Sequence, residues 1–180
     1  MVVAFARLDA RSPGRYHLTW VGRGAMESAV RRRIQELGVE HLITLRGYIP
    51  FGDSLLALYR AAHVFLHVSL TEGVPQVLIE ALASGTPIVA TDVGGVASAV
   101  GSGDAALLVP PRDAAAIVTA VETLAADESV RTRLVERGLA LAHERTLEYQ
   151  ADVVARFIAA EGSEAIDDPA PDVFVDRAER

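Results

Sequence analysis

The sequence contains neither cysteine nor lysine, and all 17 basic residues among its 180 residues are arginines. Without cysteine there is no disulfide framework, and nothing indicates a redox compartment. The chain also lacks an apolar run of about 18 residues or more, which argues against a membrane-spanning helix. The apolar patch at the start is interrupted by Arg7 and Asp9 and is too short for a signal peptide. A cytoplasmic protein is therefore the default expectation.

A strong charge is also missing from most of the chain. The formal net charge is −7, and seven acids and two arginines in residues 161–180 account for −5, which leaves −2 for residues 1–160. A nearly neutral body provides no field that would attract nucleic acid or an anionic membrane. The run of arginines at positions 31–33 is explained better by a solvated helix face than by a nucleic-acid patch. We therefore expect no nucleic-acid partner.

What the chain does contain is apolar sequence with a clear alternation of patterns. Hydrophobic residues make up 51% of it, which suits one well-buried domain. Short runs typical of buried strands alternate with helical periodicity, and this predicts an α/β fold with a doubly wound parallel sheet. Residues 128–160 add further helices after the last strand. The acidic segment 161–180 contains two prolines, and we expect a disordered tail there.

The chemistry is concentrated in residues 63–95, which read as strand, loop, helix, strand and loop. The run HVFLHV predicts a buried strand, and Pro75 falls in the first turn of the next helix, where a missing N–H costs nothing. Gly85 is expected to end that helix at the C′ position. Glu72 precedes the helix, and Glu80 lies about two turns further along.

This arrangement suits a ligand that carries both a phosphate and hydroxyl groups. Open α/β sheets bind ligands at the carboxyl ends of their strands, and a helix amino end attracts an anion. A carboxylate beside it accepts hydrogen bonds from hydroxyls. On these grounds alone, a connecting loop with one capping and one solvated glutamate explains the same residues equally well.

The segment EGVPQVLIEALASGTPIVATDVGG, with seven residues between Glu72 and Glu80, resembles a family signature. It is similar to the donor-binding, carboxyl-terminal domain of retaining GT-B glycosyltransferases (glycosyl transferases group 1, family 4). The segments VGRG, ITLRGYIP and AALLVPPRDAAAI also occur along the chain in the family's order. The resemblance covers roughly residues 1–158. It implies a Rossmann-like half of a GT-B fold, with a donor domain at 1–160 and a tail at 161–180.

The resemblance also implies roles for individual residues. Glu80 would bind the ribose hydroxyls, and Glu72, the catalytic candidate, would contact the transferred sugar. Gly73, Val74 and Pro75 would provide close backbone approach and the helix amino end. The other implied donor-binding residues are Gly22, Arg23, Tyr48, Ile49 and Ser69. The donor would be a UDP- or GDP-sugar, with no metal and no cofactor.

Ordinary structural roles remain open for several of these positions. A simple turn explains the Gly22–Gly24 segment about as well as a phosphate or base contact does. A surface tyrosine explains Tyr48 equally well. His67, just before the loop, fits a strand histidine with satisfied hydrogen bonds better than a metal ligand.

Two features of the family's donor domain are absent from this sequence. The first is an opening strand followed by a G-R-L and K-G loop, whose arginine and lysine hold the donor diphosphate. The second is the amino-terminal domain, which would bind the acceptor glycan, lipid or small molecule. We therefore expect a fragment, a truncated gene product or one part of a two-chain enzyme. Sugar transfer by this chain alone should be very poor or absent.

The opening strand occupies the centre of the sheet in a Rossmann order, so its absence leaves a gap. The strands RYHLTWVG and HVFLHV would face that gap with open backbone donors and acceptors. We expect these strands to pair directly or a second copy to contribute; filling by another chain and marginal stability are the alternatives.

The leading functional hypothesis is the donor-binding part of a glycosyltransferase of the hexosyltransferase type, in polysaccharide biosynthesis. The full enzyme would be cytoplasmic or peripheral to the inner membrane face. The first alternative is a non-catalytic nucleotide-sugar-binding or partner module of a two-chain enzyme. The second is another GT-B enzyme, such as a sugar-nucleotide epimerase, although its own motifs are not visible here.

Overall fold

Five short strands alternate with helices along residues 1–160, the part of the chain that the computed structural model describes. The strands are β1 Leu18–Val21, β2 Ile43–Gly47, β3 Phe65–His67, β4 Ile88–Thr91 and β5 Leu107–Val109. The helices are α1 Val2–Arg11, α2 Glu27–Glu36, α3 Asp53–Ala61, α4 Gln76–Ala83, α5 Val96–Ala99, α6 Ala114–Ala126, α7 Glu128–Glu144 and α8 Leu147–Ala160. Single 3-10 turns occupy Glu40–Leu42 and Gly101–Gly103. The predicted α/β alternation and the additional carboxyl-terminal helices are confirmed.

The strands form two separate parallel sheets. In the first, β1 pairs with β2, and Leu18 lies opposite Ile43. In the second, β4 lies between β3 and β5, and Val89 is opposite Leu66 on one side and Leu107 on the other. The order within each sheet therefore agrees with the prediction, and β1 and β3 belong to different sheets. The expected direct pairing of the strands around residues 18–21 and 65–67 is wrong.

One hydrophobic core contains residues of both sheets. Helices α1 and α6 contact each other and belong to it. That core includes Leu18 of β1, Val89 of β4 and the fully buried Leu8 of α1. The second copy in the sequence-based expectation is not tested by a single chain.

A second core lies around α3, α4 and α5, so helices cover the strands in two layers. Its largest fully buried side chains include Leu78, Leu82, Ile88 and Val96. Together the two cores account for the doubly wound prediction, because each layer buries the apolar face of different crossover helices.

Helix termini agree with the sequence patterns at some positions and differ at others. Gly85, with φ +68, follows α4 at C′ as predicted, and Asp113 caps α6. Pro75 sits at the cap of α4, one residue before the predicted first turn. The sequence SLLALYRAA predicts a short helix capped by Asp53. Asp53 is instead the first residue of α3, and Gly52 holds the cap position with φ 151, a conformation that glycine adopts readily.

Residue contacts divide the chain into two units, Met1–His143 and a second unit that begins at Glu144. The first contains all five strands. Within the second, the side-chain amide of Gln150 donates to the carbonyl of Glu144 over 2.7 Å. The domain boundary at residue 160 stays a prediction, and the predicted tail at 161–180 lies outside the described residues.

Candidate functional site

The predicted site residues lie mainly in loops at the carboxyl ends of β1, β2 and β3. Because parallel strands place these ends at the same edge, the topology favours a ligand site here. The residues fall into two groups, one at the end of each sheet. Glu72, Gly73, Val74, Pro75, Glu80 and Ser69 belong to the three-stranded sheet and its helix α4. Gly22, Arg23, Tyr48 and Ile49 belong to the two-stranded sheet.

Glu72 lies in the loop between β3 and α4 and is half-buried. Its Oε1 atom is 3.1 Å from Nε2 of His67, the last residue of β3. The geometry is not that of a hydrogen bond, and within the described part of the chain Nε2 has no hydrogen-bond partner. The interpretation of His67 as a satisfied strand histidine is therefore wrong, and its imidazole faces the predicted catalytic carboxylate.

Glu80 is held from the core side by a residue that the sequence analysis did not single out. The hydroxyl of Tyr59 in α3 donates to Oε2 of Glu80 over 3.0 Å. Burial, followed by the neighbouring Glu80 carboxylate, raises the pKa of Tyr59. The sequence held only a weak signal for this role: Tyr59 is an aromatic residue with a hydroxyl on the apolar face of a predicted helix.

The loop that carries Glu72 and Gly73 packs directly against the double glycine after β4. The N–H of Gly95 donates to the carbonyl of Gly73 over 2.9 Å. A Cβ on Gly95 would lie 2.5 Å from that carbonyl oxygen, and one on Gly94 would overlap the carbonyl oxygen of Glu72. The double glycine thus permits a backbone contact that holds the loop in place.

Thr91 at the end of β4 provides a second anchor for this loop. Its buried hydroxyl accepts from the N–H of Ser69 and donates to the carbonyl of Ser69, each over 2.9 Å. The hydroxyl of Ser69 itself donates to the carbonyl of Thr71 over 2.9 Å. Ser69 therefore stabilises the loop, and its predicted donor contact stays a prediction.

Helix α4 presents its amino end at the same loop. Pro75 occupies the cap position with φ −75 and ψ 118, and within residues 1–160 no side chain caps the first N–H groups. Val74, just before it, is 59% exposed. Such an uncapped amino end carries free donors and the positive end of the helix dipole, which favour an anion.

The group at the end of the two-stranded sheet is held together by backbone and arginine contacts. The N–H of Gly22 donates to the carbonyl of Gly47 over 2.8 Å. The exposed Arg23 lies over the same residue, since a Cβ on Gly47 would be 3.3 Å from its Nε. Tyr48 is 64% exposed, whereas Ile49 is half-buried. This places the Arg23 cation and the Tyr48 ring at the carboxyl edge of the two-stranded sheet.

Other places in the first unit offer less to a ligand. A cavity of about 440 Å³ lies beside α7 and the amino end of β5, at the edge opposite the predicted site. One of its arginines, Arg137, is 3.5 Å from Asp104. Over residues 1–160 no group of three or more histidines, aspartates and glutamates is arranged to hold a metal ion.

Comparison with known proteins gives consistent relationships. A family model described as glycosyl transferases group 1 matches residues 1–127. The D-inositol 3-phosphate glycosyltransferase of Corynebacterium glutamicum (strain R) is 35% identical over 156 residues, which cover 84% of this chain and 37% of that protein.

Solved structures give the same result for the fold. Sucrose-phosphate synthase from Thermosynechococcus elongatus is 30% identical with a TM-score of 0.69, over 89% of this chain and 42% of that one. Anabaena HepE, solved in complex with UDP-glucose, is 20% identical with a TM-score of 0.72, over 87% and 44%. At that identity the HepE likeness shows the fold alone. The chain spans less than half the length of each of these proteins.

Proposed function

The chain belongs to the glycosyl transferases group 1 family, and from this premise we propose that it is the donor-binding part of a retaining glycosyltransferase that uses a UDP- or GDP-sugar. Family membership confirms the resemblance drawn from the sequence, and the fold is half of a GT-B architecture. The observation that carries the proposal is the uncapped amino end of α4, which lies between Glu72 and Glu80 in the chain, at a loop held by Gly94 and Gly95.

Each part of the donor has a matching group in this proposal. Glu80 accepts hydrogen bonds from the ribose hydroxyls, because a carboxylate has acceptor lone pairs left after Tyr59 has used one. Glu72 contacts the transferred sugar near its developing positive charge. The diphosphate lies at the amino end of α4, where Gly73 lets it approach the backbone. Arg23, Tyr48 and Ile49 contact the nucleotide from the two-stranded sheet, together with Gly22.

The reaction would proceed by departure of the nucleoside diphosphate on the same face as acceptor attack. Catalysis then depends on stabilising the leaving diphosphate and orienting the acceptor. The α4 amino end provides only part of that stabilisation, because Arg23 is the one basic side chain among the predicted donor-binding residues. We therefore expect donor binding by this chain without efficient transfer, and we assign it neither a metal nor a cofactor.

The acceptor and the partner chains are also part of the proposal. An acceptor glycan, lipid or small molecule would bind to a further domain. The open position between β1 and β3 would receive a strand from a second copy or from another chain. Within residues 1–160 no helix is long and apolar enough to cross a membrane. The enzyme would act in the cytoplasm or at the inner membrane face.

Isothermal titration of the chain with UDP, GDP, UDP-glucose and GDP-mannose tests the proposal. Glu80→Ala should weaken nucleotide binding by about 1–3 kcal/mol, the cost of losing a hydrogen bond to a charged group. Glu136→Ala, an exposed glutamate on α7, is the control and should bind as wild type does. Failure of the wild-type chain to bind any of the four compounds would refute the proposed function.

The second candidate is a nucleotide-sugar-binding module without catalysis. The scarcity of positive charge favours it, since Arg23 is the one basic side chain among the predicted donor-binding residues. Detectable release of nucleoside diphosphate from a donor by the purified chain would exclude this candidate. Donor binding without release of nucleoside diphosphate, with sugar transfer only after a second chain is added, would support it.

A further inference from the structure

We propose that Tyr59 and His67 are positioning residues for the two glutamates, and that the ring of Phe65 joins them into one aromatic row. The aromatic row is defined as Tyr59, Phe65 and His67. This inference rests on the proposed function, because it concerns how the same donor site is held in its binding geometry.

Tyr59 is fixed at both ends. Its side chain is buried, with 6% of the residue exposed, and its hydroxyl donates to Oε2 of Glu80 over 3.0 Å. Its carbonyl accepts from the hydroxyl of Thr86, itself buried, over 2.8 Å. A buried tyrosine hydroxyl needs a partner, and Glu80 supplies it. The bond therefore restricts the rotation of Glu80 and directs the rest of its acceptor capacity away from the core.

Phe65 and His67 continue the row along β3. They are two residues apart on a strand and therefore lie on the same face. The rings of Tyr59 and Phe65 meet edge to face with centroids 5.2 Å apart. The rings of Phe65 and His67 are stacked at 6.4 Å. Pairing with β4 holds both positions, since Phe65 is opposite Ile88 and His67 is opposite Ala90.

The row therefore connects the two glutamates through the protein interior. Glu80 lies at the Tyr59 end, and Glu72 lies 3.1 Å from Nε2 at the His67 end. A free glutamate side chain samples several rotamers, and ordering it on binding reduces affinity. The Tyr59 hydrogen bond already restricts Glu80, and the His67 ring at 3.1 Å limits the space open to the Glu72 side chain, so part of that penalty is removed. The residues that touch the donor are thus the glutamates, and the row acts through them.

A purely structural role for the row predicts different behaviour from a positioning role. Tyr59→Phe keeps the ring and removes only the hydroxyl, so packing is retained. If Tyr59 positions Glu80, the variant should bind UDP and GDP about 5- to 20-fold more weakly, in line with the loss of one hydrogen bond to a charged group. Affinity for the 2′,3′-dideoxy forms, which lack the ribose hydroxyls, should not change. Tyr16→Phe, outside the site, is the matched control.

The His67 end is tested by the contribution of the sugar. His67→Phe keeps an aromatic ring on β3 and removes Nε2. It should reduce the affinity for UDP-glucose or GDP-mannose about 3- to 10-fold and leave that for UDP and GDP unchanged, because Glu72 addresses the sugar. His63→Phe, an exposed histidine just before β3, controls for the added ring.

Titration calorimetry with these probes separates the two proposals. If wild type binds, Glu80→Ala weakens binding, and Tyr59→Phe and His67→Phe bind every probe as wild type does, the positioning roles are overturned while the donor site stands. If wild type binds no probe, the donor site itself is overturned. A loss that is equal for the ribose and dideoxy forms would also reject positioning and indicate general distortion.

A second measurement tests the inference even if the Tyr59→Phe variant fails to fold. Ultraviolet titration of the tyrosines in wild type and in Glu80→Ala follows the Tyr59 hydroxyl directly. Because the Glu80 carboxylate helps to raise the pKa of Tyr59, one tyrosine should ionise at lower pH in Glu80→Ala. Identical titration curves would mean that the two groups do not interact, and the inference would fail.

Discussion

Gly95 shows at the scale of one residue how the site loop is held. Its φ of −82 is accessible to any residue, so conformational freedom does not explain the need for glycine here. The need comes from space, because the Gly73 carbonyl and the Val74 side chain lie where a Cβ would project. The glycine therefore permits close contact between the loop after β4 and the loop that carries the predicted donor residues Gly73 and Val74.

Gly95→Ala should displace the loop that carries Glu72 and weaken donor binding at least about 5-fold. Overpacking of this kind also costs about 1–3 kcal/mol of stability. Calorimetry with UDP-glucose and GDP-mannose, together with urea unfolding, measures both effects. Gly38→Ala is the control: open space surrounds Gly38, and its φ of +66 strains alanine without touching the site. If both variants bind equally well, the double glycine has no role in the loop.

Tyr59 also makes a prediction for alkaline pH. Burial and then Glu80 raise its pKa in the folded state, whereas in the unfolded chain a tyrosine ionises near pH 10. Above about pH 10 the unfolded state therefore binds fewer protons than the folded state, and stability falls as pH rises. Tyr59 contributes a loss of up to about 1.4 kcal/mol per pH unit in this range.

Urea unfolding between about pH 8 and 11 measures this contribution. Tyr59→Phe should unfold more easily at pH 8, because it lacks the hydrogen bond to Glu80, but should lose less stability towards pH 11. Tyr48→Phe, at an exposed position, should retain the wild-type slope. Parallel curves for all three proteins would contradict the pKa assigned to Tyr59.

At the scale of whole elements, helices α3 and α4 begin without a capping side chain, whereas α6 begins with one. Gly52 precedes α3 without a capping side chain, and Pro75 precedes α4 likewise. Asp113 caps α6 by accepting from the N–H groups of Ala115 and Ala116, each over 2.9 Å. The open end of α4 lies at the loop that carries Glu72 and Gly73, so the missing cap there is consistent with an anion site, whereas the α6 cap is structural.

Asp113→Ala should lower the free energy of unfolding by about 0.5–2 kcal/mol through loss of the α6 cap. Asp113→Asn is the matched control and should stay close to wild type, because asparagine caps helices about as well. Chemical denaturation measures both variants. Donor affinity should be unchanged in each, since α6 lies outside the proposed site. Equal loss in the two variants would show that charge, rather than the cap, matters.

At the scale of the whole molecule, the separation of β1 and β3 into two sheets has consequences for association. Strand edges that lack a partner carry unpaired backbone groups that favour pairing with another strand. We expect the chain to associate with itself at micromolar concentration, which sedimentation velocity detects. Hydrogen exchange should then slow at β1 and β3 as concentration rises. A monomer at every concentration would rule out pairing of these strands with a second copy.

Much of the fold followed from local pattern. The runs around β3 and β4, the helix between them and Gly85 at its end are dictated by period, polarity and backbone preference. The Glu72 and Glu80 pair was found because its spacing and flanking residues form a family signature. Asp53 was assigned wrongly as a cap because aspartate suits several positions near a helix start, and the backbone of Gly52 decided the outcome.

The sequence by itself therefore determined the order and type of the elements, the two glutamates and the family. Only the tertiary structure decided which residues contact the site. Tyr59 donates a hydrogen bond to Glu80, His67 lies beside Glu72, and the N–H of Gly95 donates to the carbonyl of Gly73. These contacts join residues 5 to 22 positions apart, so no local periodicity encodes them. The division of the strands into two sheets is likewise decided in the tertiary structure, because a strand's own sequence does not specify its neighbour.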